Sequence, residues 1–206
     1  MNKEVVVCFS SGHDSFYCLS EAIETYGNEN VLCLIFEYGQ TNALEICNAV
    51  DACKDIGVDF EVIKLPDMKR EGNKRQDVSS QYYPARNLVF LSVASSVAEQ
   101  LGAEFVYIGV CREDNYSFPD CRLEFVDKFD SLYKTAYGNV SVVAPCLYRT
   151  KKETYDLLMQ SSIAQQYLKY TYSCYNNSSE PFYDRKGCGS CQACLSLKRN
   201  IFDAAE

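Results

Sequence analysis

Short apolar runs alternate with amphipathic segments along most of this 206-residue chain. Buried parallel strands read as continuous apolar runs bounded by turn residues, whereas helices show a period near 3.6 residues. Strands are predicted at 4–9, 31–38, 60–65, 104–110 and 140–145. Helices are predicted at 16–26, 41–57, 85–102 and 122–137, near 150–168, and from about 191. The alternation predicts an α/β fold, in which a mostly parallel five-stranded sheet carries helices on both faces.

The same pattern predicts how the chain is organised around the sheet. The helix at 85–102 is apolar nearly all round, which predicts a central position. The polar stretches 66–82 and 170–187 are predicted loops. Near the C-terminus Tyr, Ser, Asn and Cys replace the periodic pattern, so we expect an α/β domain at 1–169 and an appendage at 170–206. Ligands of such folds bind outside the carboxyl ends of the strands.

Charge and hydropathy exclude several classes of function. The formal net charge is −8 and no block of lysine or arginine occurs, whereas a general grip on nucleic acid needs a basic stripe. No apolar run approaches the roughly 18 residues of a membrane span, and residues 1–30 show no signal-peptide pattern. We therefore expect a cytoplasmic protein without membrane or direct nucleic-acid contacts.

The chain contains twelve cysteines, which is many for a protein of this length. Five of them, Cys8, Cys18, Cys33, Cys47 and Cys53, fall in apolar-patterned segments. Free cysteine behaves there as a small apolar residue. Most cysteines outside the C-terminal cluster are therefore predicted to be buried thiols in a reducing compartment.

Three cysteines near the C-terminus have the spacing of metal ligands. Cys188, Cys191 and Cys194 are separated by two residues each, a strong signal for a zinc site. A closed structural site needs four ligands, so another segment must supply the fourth. Cys174 is the nearest upstream cysteine and Cys146 is the next candidate. We predict a structural Zn²⁺ held by Cys174 and the three clustered cysteines, with a disulfide as the alternative.

The loop "SSGHDS" (10–15) follows the first predicted strand. Ser10 and Ser11 supply hydroxyls, Gly12 allows a tight turn, and Asp14 and Ser15 open a helix whose free N–H groups attract phosphate. The loop lacks the Gly-Lys-Ser/Thr of a Walker A motif. We predict that it binds the β- and γ-phosphates of a nucleotide through N–H groups, hydroxyls and a cation near Asp14. A plain polar turn with a helix cap is the alternative.

His13 is the one histidine of the chain and lies inside this loop. It could contact a phosphate and is counted among the predicted phosphate-binding residues. Loop position by itself favours an exposed side chain on a turn.

Three further motifs lie at the predicted carboxyl edge of the sheet. "FEYGQ" (36–40) ends the second strand and contains Tyr38 and Gln40. "PARN" (84–87) places Arg86 and Asn87 in the first turn of a helix. The stretch 109–122 holds the polar and charged residues Glu113, Asp114, Asp120 and Arg122, together with the aromatic Tyr116 and Phe118. Aromatic rings with a few carboxylates and an arginine suit a planar, hydrogen-bonding heterocycle.

Taken in order, "SSGHDS", "YGQ", "PARN", "EDNYSFPDCR" and the cysteine cluster resemble the 7-cyano-7-deazaguanine synthases of the PP-loop ATP pyrophosphatase superfamily. The resemblance covers nearly the whole chain. It implies an ATP-dependent ligase that adenylates 7-carboxy-7-deazaguanine, forms an amide with ammonia, and dehydrates the amide to a nitrile through a second adenylation. The family also has a cysteine at the place of Cys174.

The resemblance further implies roles for individual residues. It implies a pyrophosphate cradle of Ser10, Gly12, Asp14 and Ser15, with Mg²⁺ bridging the phosphate oxygens of ATP. It implies a deazaguanine pocket lined by Arg86, Asp120 and Arg122. Lys151, in "TKKE", would reach a phosphate or the acyl oxygen. Asp14, Arg86 and Lys151 are the predicted catalytic residues.

The chain departs from the usual family pattern at five positions. Ser11 and His13 replace a glycine and an apolar residue, Thr41 and Asn42 replace a basic pair, and Cys111 replaces an asparagine. These changes leave alternatives for the product: an amide, or transfer of the deazaguanine acyl group to another amine, including one on a protein. A non-catalytic nucleotide-binding module with zinc is a further alternative. Homodimer formation and the pathway served are left open.

Overall fold

The computed structural model describes residues 3–40, 42–68, 83–116 and 118–204. Thr41 and most of the loop predicted at 66–82 lie outside these ranges. Five parallel strands form the main sheet, in the order β3-β2-β1-β4-β5. Their bounds are Val5–Cys8 (β1), Val31–Glu37 (β2), Asp59–Lys64 (β3), Phe105–Ile108 (β4) and Ser141–Val143 (β5). The predicted parallel five-stranded α/β fold is therefore confirmed.

The helices lie where the apolar periodicity predicts them. Their bounds are His13–Tyr26 (α1), Ala43–Ile56 (α2), Arg86–Leu101 (α3), Leu123–Ala136 (α4), Lys151–Leu158 (α5), Ala164–Tyr170 (α6) and Gln192–Leu197 (α7). Shorter helical turns are Asn28–Asn30, Arg112–Tyr116, Pro119–Cys121 and Lys198–Phe202. The helices predicted near 150–168 are α5 and α6, which are separated by a turn.

Alternate residues of the central strands bury two separate cores. On one face Val5 and Val7 of β1 pack with apolar residues of α1, α2, α5 and α6. On the other face Val6 and Cys8 pack with residues of α3 and α4. This two-sided burial explains why the central strands are continuous apolar runs. The loops after β1, β2 and β4 come together at the carboxyl edge of the sheet, where they line the same cavities.

Helix α3 packs against the central strands β1 and β4, as its apolar composition predicts. Leu91, Ala94 and Ala98 are fully buried on one face, whereas Leu88 is 41% exposed on the other. Small residues such as Ala94 and Ala98 on the buried face let the helix approach the sheet closely. The predicted central position is therefore observed, although one face of the helix is exposed.

The C-terminal segment contains structure that the sequence pattern does not reveal. Pro181–Phe182 (β6) and Arg185–Lys186 (β7) form a two-residue antiparallel hairpin inside the predicted loop 170–187. The segment also contacts the sheet edge, because the Tyr172 N–H donates to the carbonyl of Ser11 at 3.0 Å. The division into 1–169 and 170–206 stays a prediction. Among the described residues, no helix combines the length and apolar character needed to cross a membrane.

Candidate active site and metal centre

The loop after β1 forms an open helix N-terminus. Helix α1 begins at His13, and its N-cap residue is Gly12, which has no side chain to cap the first N–H groups. The Ser15 hydroxyl donates to the Gly12 carbonyl at 2.9 Å and accepts from the Ser10 N–H at 3.2 Å. These bonds hold the turn closed while leaving the positive end of α1 directed outward. The arrangement suits a phosphate group.

Ser11 has a structural role in this loop. Its φ of 58° is in the left-handed region that favours glycine. Its hydroxyl donates to the Glu45 carbonyl at 3.1 Å, and the residue is fully buried. The hydrogen bond to α2 offsets the cost of the conformation. The predicted ATP-binding role does not fit this placement, because the hydroxyl is engaged inside the protein.

Gly109, at the end of β4, allows the loop to approach the sheet. A Cβ atom at this position would lie 2.7 Å from the Ser15 nitrogen and 2.8 Å from the Asp14 carbonyl carbon. Both contacts are with backbone, which cannot move away without disturbing the start of α1. Glycine is therefore needed here for close packing, although its own φ is unexceptional.

Lys151 brings its ammonium group to the same loop. Its Nζ donates to Asp14 Oδ2 at 2.8 Å and to Asp114 Oδ2 at 3.4 Å, with the lysine side chain buried. Burial by itself lowers the pKa of Lys151, but the two carboxylates outweigh it, so the pKa lies well above its ordinary value. The Lys151 ammonium is therefore a fixed positive charge beside the loop 10–15, which is called the phosphate loop below.

One oxygen of this cluster has no partner within the described part of the chain. Asp14 Oδ1 is buried and makes no hydrogen bond. Ligand atoms of Asp14, Asp114 and Cys111 lie within 4.8 Å of one another. The carboxylates are the hard oxygen donors that Mg²⁺ requires, whereas the Cys111 thiol is a soft donor and instead donates to Asp114 Oδ2 at 3.2 Å. The two carboxylates thus fit an Mg²⁺ ion that would arrive with ATP.

Two adjoining cavities open at the carboxyl edge. The smaller one, about 150 Å³, lies against Ser10, Asp14 and Ser15. The larger one, about 270 Å³, extends towards Lys151 and the C-terminal segment. They share a wall that includes Tyr38, Gln40, Glu45, Arg86 and Asn87. A nucleotide phosphate in one cavity and a planar molecule in the other would therefore lie side by side.

Most of the residues predicted from sequence lie on these walls. The larger cavity holds Gly12, His13, Tyr38, Gln40, Arg86, Asn87, Glu113, Asp114, Phe118 and Lys151. Asp120 and Arg122 do not line either cavity. Asp120 accepts from the Asn87 N–H at 3.3 Å, and Arg122 Nε donates to the Asn115 carbonyl at 3.1 Å on the exposed surface. Asp120 therefore contacts the start of α3, and Arg122 contacts the exposed loop that contains Asn115.

His13 is buried, with 3% of its surface exposed, so the expectation of an exposed turn residue is wrong. Both ring nitrogens have protein partners: Nδ1 is 2.8 Å from the Tyr167 hydroxyl, and Nε2 is 2.8 Å from Thr154 Oγ1. Burial, followed by the positive charges of Lys151 and Arg185, holds the pKa of His13 well below its ordinary value. No ring nitrogen is left for a phosphate.

Glu45 is a functional candidate that the sequence patterns did not reveal. It lies in the first turn of α2 and lines both cavities. Burial raises the pKa of its carboxyl to about 7, against the opposing effects of Arg86 and a hydrogen bond from Ser10. Arg86 itself donates to the Tyr38 hydroxyl at 3.4 Å. The shared wall therefore presents an arginine, a tyrosine and a carboxyl group that ionises near neutral pH.

The C-terminal segment also contributes to the larger cavity. Tyr175 lines it, and burial raises the pKa of this phenol to about 12. Gln192 and Ser196 of α7 lie on the same wall. Spacing could not identify these residues, because they belong to a polar segment and a short helix. Their positions depend on how the cysteine cluster folds the chain back onto the sheet.

The four predicted metal ligands come together. The sulfur atoms of Cys174, Cys188, Cys191 and Cys194 all lie within 4.8 Å of one another. Several backbone N–H groups point at them, including Cys191 N–H to Cys188 Sγ at 3.2 Å and Cys188 N–H to Cys174 Sγ at 3.4 Å. Hydrogen bonds from Ser190 lower the pKa of Cys188 to about 5, which favours the thiolate. Cys146 lies elsewhere, 3.8 Å from Cys18 Sγ in the core.

The spacing of these sulfurs favours a single ion. Four thiolates at about 2.3 Å from one tetrahedral Zn²⁺ would be separated by about 3.8 Å. An iron–sulfur cubane would place four irons and four sulfides between the same thiolates and hold them much further apart.

The remaining cysteines follow the buried-thiol prediction except Cys47, which is exposed.

A comparison with models of known protein families shows the family to which this chain belongs. The family model described as "Queuosine biosynthesis protein QueC" matches residues 4–205. The chain belongs to the QueC family. Membership agrees with the order of motifs along the chain.

Solved structures share the fold of this QueC family member. The U34-tRNA thiolase NcsA from Methanococcus maripaludis, solved with its [4Fe-4S] cluster, matches with a TM-score of 0.54 and 18% identity. The match covers 97% of this chain and 66% of that chain, so the QueC member spans just under two thirds of the thiolase. The NH3-dependent NAD synthetase from Campylobacter jejuni matches with a TM-score of 0.51 and 15% identity, over 84% and 71% of the two chains. At these identities the likeness concerns the fold.

Proposed function

We propose that this protein is an ATP-dependent ligase that converts 7-carboxy-7-deazaguanine to 7-cyano-7-deazaguanine. The observation that carries the proposal is the pair of adjoining cavities, one at the phosphate loop and one lined by aromatic and charged groups. Their shared wall would place the α-phosphate of ATP beside the carboxylate of a bound heterocycle. Holding two reactants in this way is a large part of catalysis of such reactions.

The groups around the phosphate loop would bind and polarise the triphosphate. Ser10 and the N–H groups at the start of α1 would hold the phosphate oxygens, and Lys151 would neutralise charge developing on the α-phosphate. Asp14 and Asp114 would hold Mg²⁺, which supplies charge neutralisation on the phosphate oxygens when bound. Asp14 would also keep the Lys151 ammonium in place.

The reaction then takes place in two adenylation steps. The substrate carboxylate forms a bond to the α-phosphorus and pyrophosphate leaves, which gives an acyl adenylate. Ammonia displaces AMP to form the amide. The amide oxygen then bonds to the α-phosphorus of a second ATP as pyrophosphate and one N–H proton leave. Departure of that oxygen as part of AMP, with loss of the remaining N–H proton, leaves the nitrile. Residues of the larger cavity would exclude water from both adenylates.

The shared wall would recognise the heterocycle. Arg86 and Tyr38 can contact its carboxylate and ring, and Phe118 can stack on it. A guanine-like edge offers two adjacent N–H donors, which suit a carboxylate. Asp120 is engaged with Asn87, so we assign this contact to Glu45.

Glu45→Gln should raise the KM for the carboxylated heterocycle about 10- to 100-fold, the effect of losing charge-assisted hydrogen bonds. The pKa of Glu45 in the unliganded protein is raised to about 7, so the carboxyl gains charge as pH rises through that value. Wild-type kcat/KM should therefore increase across about pH 7, and the variant should lack this step. Steady-state kinetics at several pH values measure both effects.

The exposed Glu61 of β3 provides a matched control, because Glu61→Gln removes one carboxylate away from both cavities. It should leave both the KM and the pH profile unchanged. An equal rise in the KM for ATP and for the heterocycle in Glu45→Gln would contradict the assignment.

The product is tested directly by mass spectrometry. Incubation of the protein with 7-carboxy-7-deazaguanine, ATP, Mg²⁺ and ammonium should yield the nitrile together with AMP and pyrophosphate. Release of ADP and orthophosphate alone would overturn the proposal. Binding of ATP without turnover would instead support the non-catalytic module.

A second candidate product follows from Asn42. This residue lines the larger cavity at a place where the family usually carries a basic residue. A neutral side chain changes the electrostatics at the point where the second adenylation would occur. An enzyme that stops at the amide, or passes the acyl group to another amine, is therefore the alternative, and accumulation of amide in the same assay would support it.

The cysteine cluster completes the proposal. Four thiolates within 4.8 Å would hold one structural Zn²⁺ with no open coordination position. The ion would tie the segment with Tyr175 and α7 against the larger cavity. Its role would be to shape the substrate wall.

A further inference from the structure

The single histidine of the chain connects the phosphate loop to three other elements. His13 begins α1, and its imidazole packs edge-on against the ring of Tyr167 in α6. Its Nε2 lies 3.1 Å from the Lys151 carbonyl and 2.8 Å from Thr154 Oγ1, both in α5. Thus the residue beside Asp14 is joined directly to the backbone of the residue whose ammonium pairs with Asp14.

The hydrogen-bond chain specifies which nitrogen carries the proton. The Lys151 carbonyl can only accept a hydrogen bond. The Thr154 hydroxyl lies 3.1 Å from this same carbonyl and can donate its own proton to it. The proton of the imidazole therefore belongs on Nε2. Nδ1 is then an acceptor for the Tyr167 hydroxyl at 2.8 Å. The Tyr167 oxygen in turn accepts from Arg185 Nη2 at 2.9 Å.

The hydrogen-bond chain that starts at His13 ends in the β6–β7 hairpin. Arg185 of β7 is buried and also donates to its neighbour Asp184 at 2.7 Å. Asp184 accepts from the Tyr155 hydroxyl of α5 at 3.0 Å. The hairpin therefore contacts α5 at Tyr155 and, through Tyr167 and His13, at Lys151.

We propose that His13 is a positioning residue, whose Nε2–H holds the first turn of α5 so that the Lys151 ammonium faces Asp14. The hairpin side chain Arg185 supports this by fixing the Tyr167 hydroxyl, which keeps the imidazole in one orientation. The catalytic consequence rests on the proposed function, because it assumes that Lys151 acts on the phosphate. A displacement of a catalytic group by about 1 Å can lower a rate about 100-fold.

Two polar substitutions of His13 distinguish the contribution of Nε2 from that of Nδ1. Gln can place an N–H donor near the position of Nε2, whereas the shorter Asn reaches only the position of Nδ1. His13→Asn should lower kcat for pyrophosphate release about 10- to 100-fold, and His13→Gln should stay within about threefold of wild type. Neither should change the KM for ATP more than about threefold.

Tyr17→Phe is the control for general loss of a buried hydrogen bond. Tyr17 lies in the same helix, and its hydroxyl donates to Glu21 at 2.7 Å, away from Lys151. It should lower stability without lowering kcat per folded molecule. Equal losses of kcat in His13→Asn and His13→Gln would overturn the proposal.

Two measurements do not depend on turnover. Long-range ¹⁵N–¹H NMR spectra of the wild type contain one imidazole, and they should show its proton on Nε2; a proton on Nδ1 would overturn the proposal. Amide hydrogen exchange at residues 151–154 should be faster in His13→Asn than in His13→Gln, and equal exchange would contradict it. If the wild type releases no pyrophosphate, the proposed function fails, while these two results still decide the role of His13.

Discussion

Asp14→Asn should lower substrate-dependent pyrophosphate release about 10³-fold, as expected when a charged group that organises a transition state becomes neutral. The change removes one carboxylate from a proposed Mg²⁺ site and removes the 2.8 Å ion pair that holds Lys151. The amide has the same shape, and Asp114 remains 3.4 Å from Nζ, so the lysine keeps one partner. Release of pyrophosphate with 7-carboxy-7-deazaguanine and ATP measures the effect.

Asp156→Asn is the matched control on the outer face of α5. There the carboxylate pairs with Lys152 at 2.6 Å, far from the loop, and exposed pairs of this kind contribute little. Activity should be unchanged. Circular dichroism should show both variants folded. Retention of more than about a tenth of the activity by folded Asp14→Asn would exclude the proposed role of this residue.

Cys174→Ser should lose the metal and much of the stability together. The wild type should carry about one zinc per chain, and a hydroxyl is a far poorer ligand than a thiolate. Metal binding contributes directly to folding free energy, so its loss should lower the unfolding midpoint by about 10 °C or more. Elemental analysis and thermal unfolding measure the two effects on the same sample.

Cys47→Ser serves as the control, because Cys47 is exposed and outside the cluster. It should keep full zinc and an unchanged midpoint. Full zinc in Cys174→Ser would exclude Cys174 as a ligand. Iron in place of zinc, with visible absorption from a cluster, would contradict the single-ion site that the short sulfur–sulfur distances favour.

The site shows where prediction from sequence succeeds. Arg86 and Asn87 were predicted in the first turn of a helix at the sheet edge, and they lie on the shared wall of both cavities. The four cysteines were predicted as one cluster, and their sulfurs meet. For Arg86 and Asn87 the signal is the start of a helical pattern, and for three of the cysteines it is the two-residue spacing. Cys174 is assigned as the nearest upstream cysteine and by the resemblance.

Asp120 and Glu45 show where prediction from sequence fails. Both are acidic residues in segments that follow strands of the sheet, so their sequence context is alike. Their positions differ because Asp120 accepts a hydrogen bond from the start of α3, whereas Glu45 lines the wall beside Arg86. Burial and partner choice depend on which helices pack together, which periodicity does not report.

By itself, the sequence determined the parallel α/β fold and the grouping of the phosphate loop, the strand-end motifs and the cysteines. Alternating patterns leave few ways to bury their apolar faces, so they specify the layers. Only the tertiary structure decided the hydrogen-bond partners of Ser11 and His13, because Glu45 and Tyr167 are 34 and 154 residues away. A polar side chain in a loop is exposed or buried according to the segment that folds over it, and a buried one must find its hydrogen bonds there.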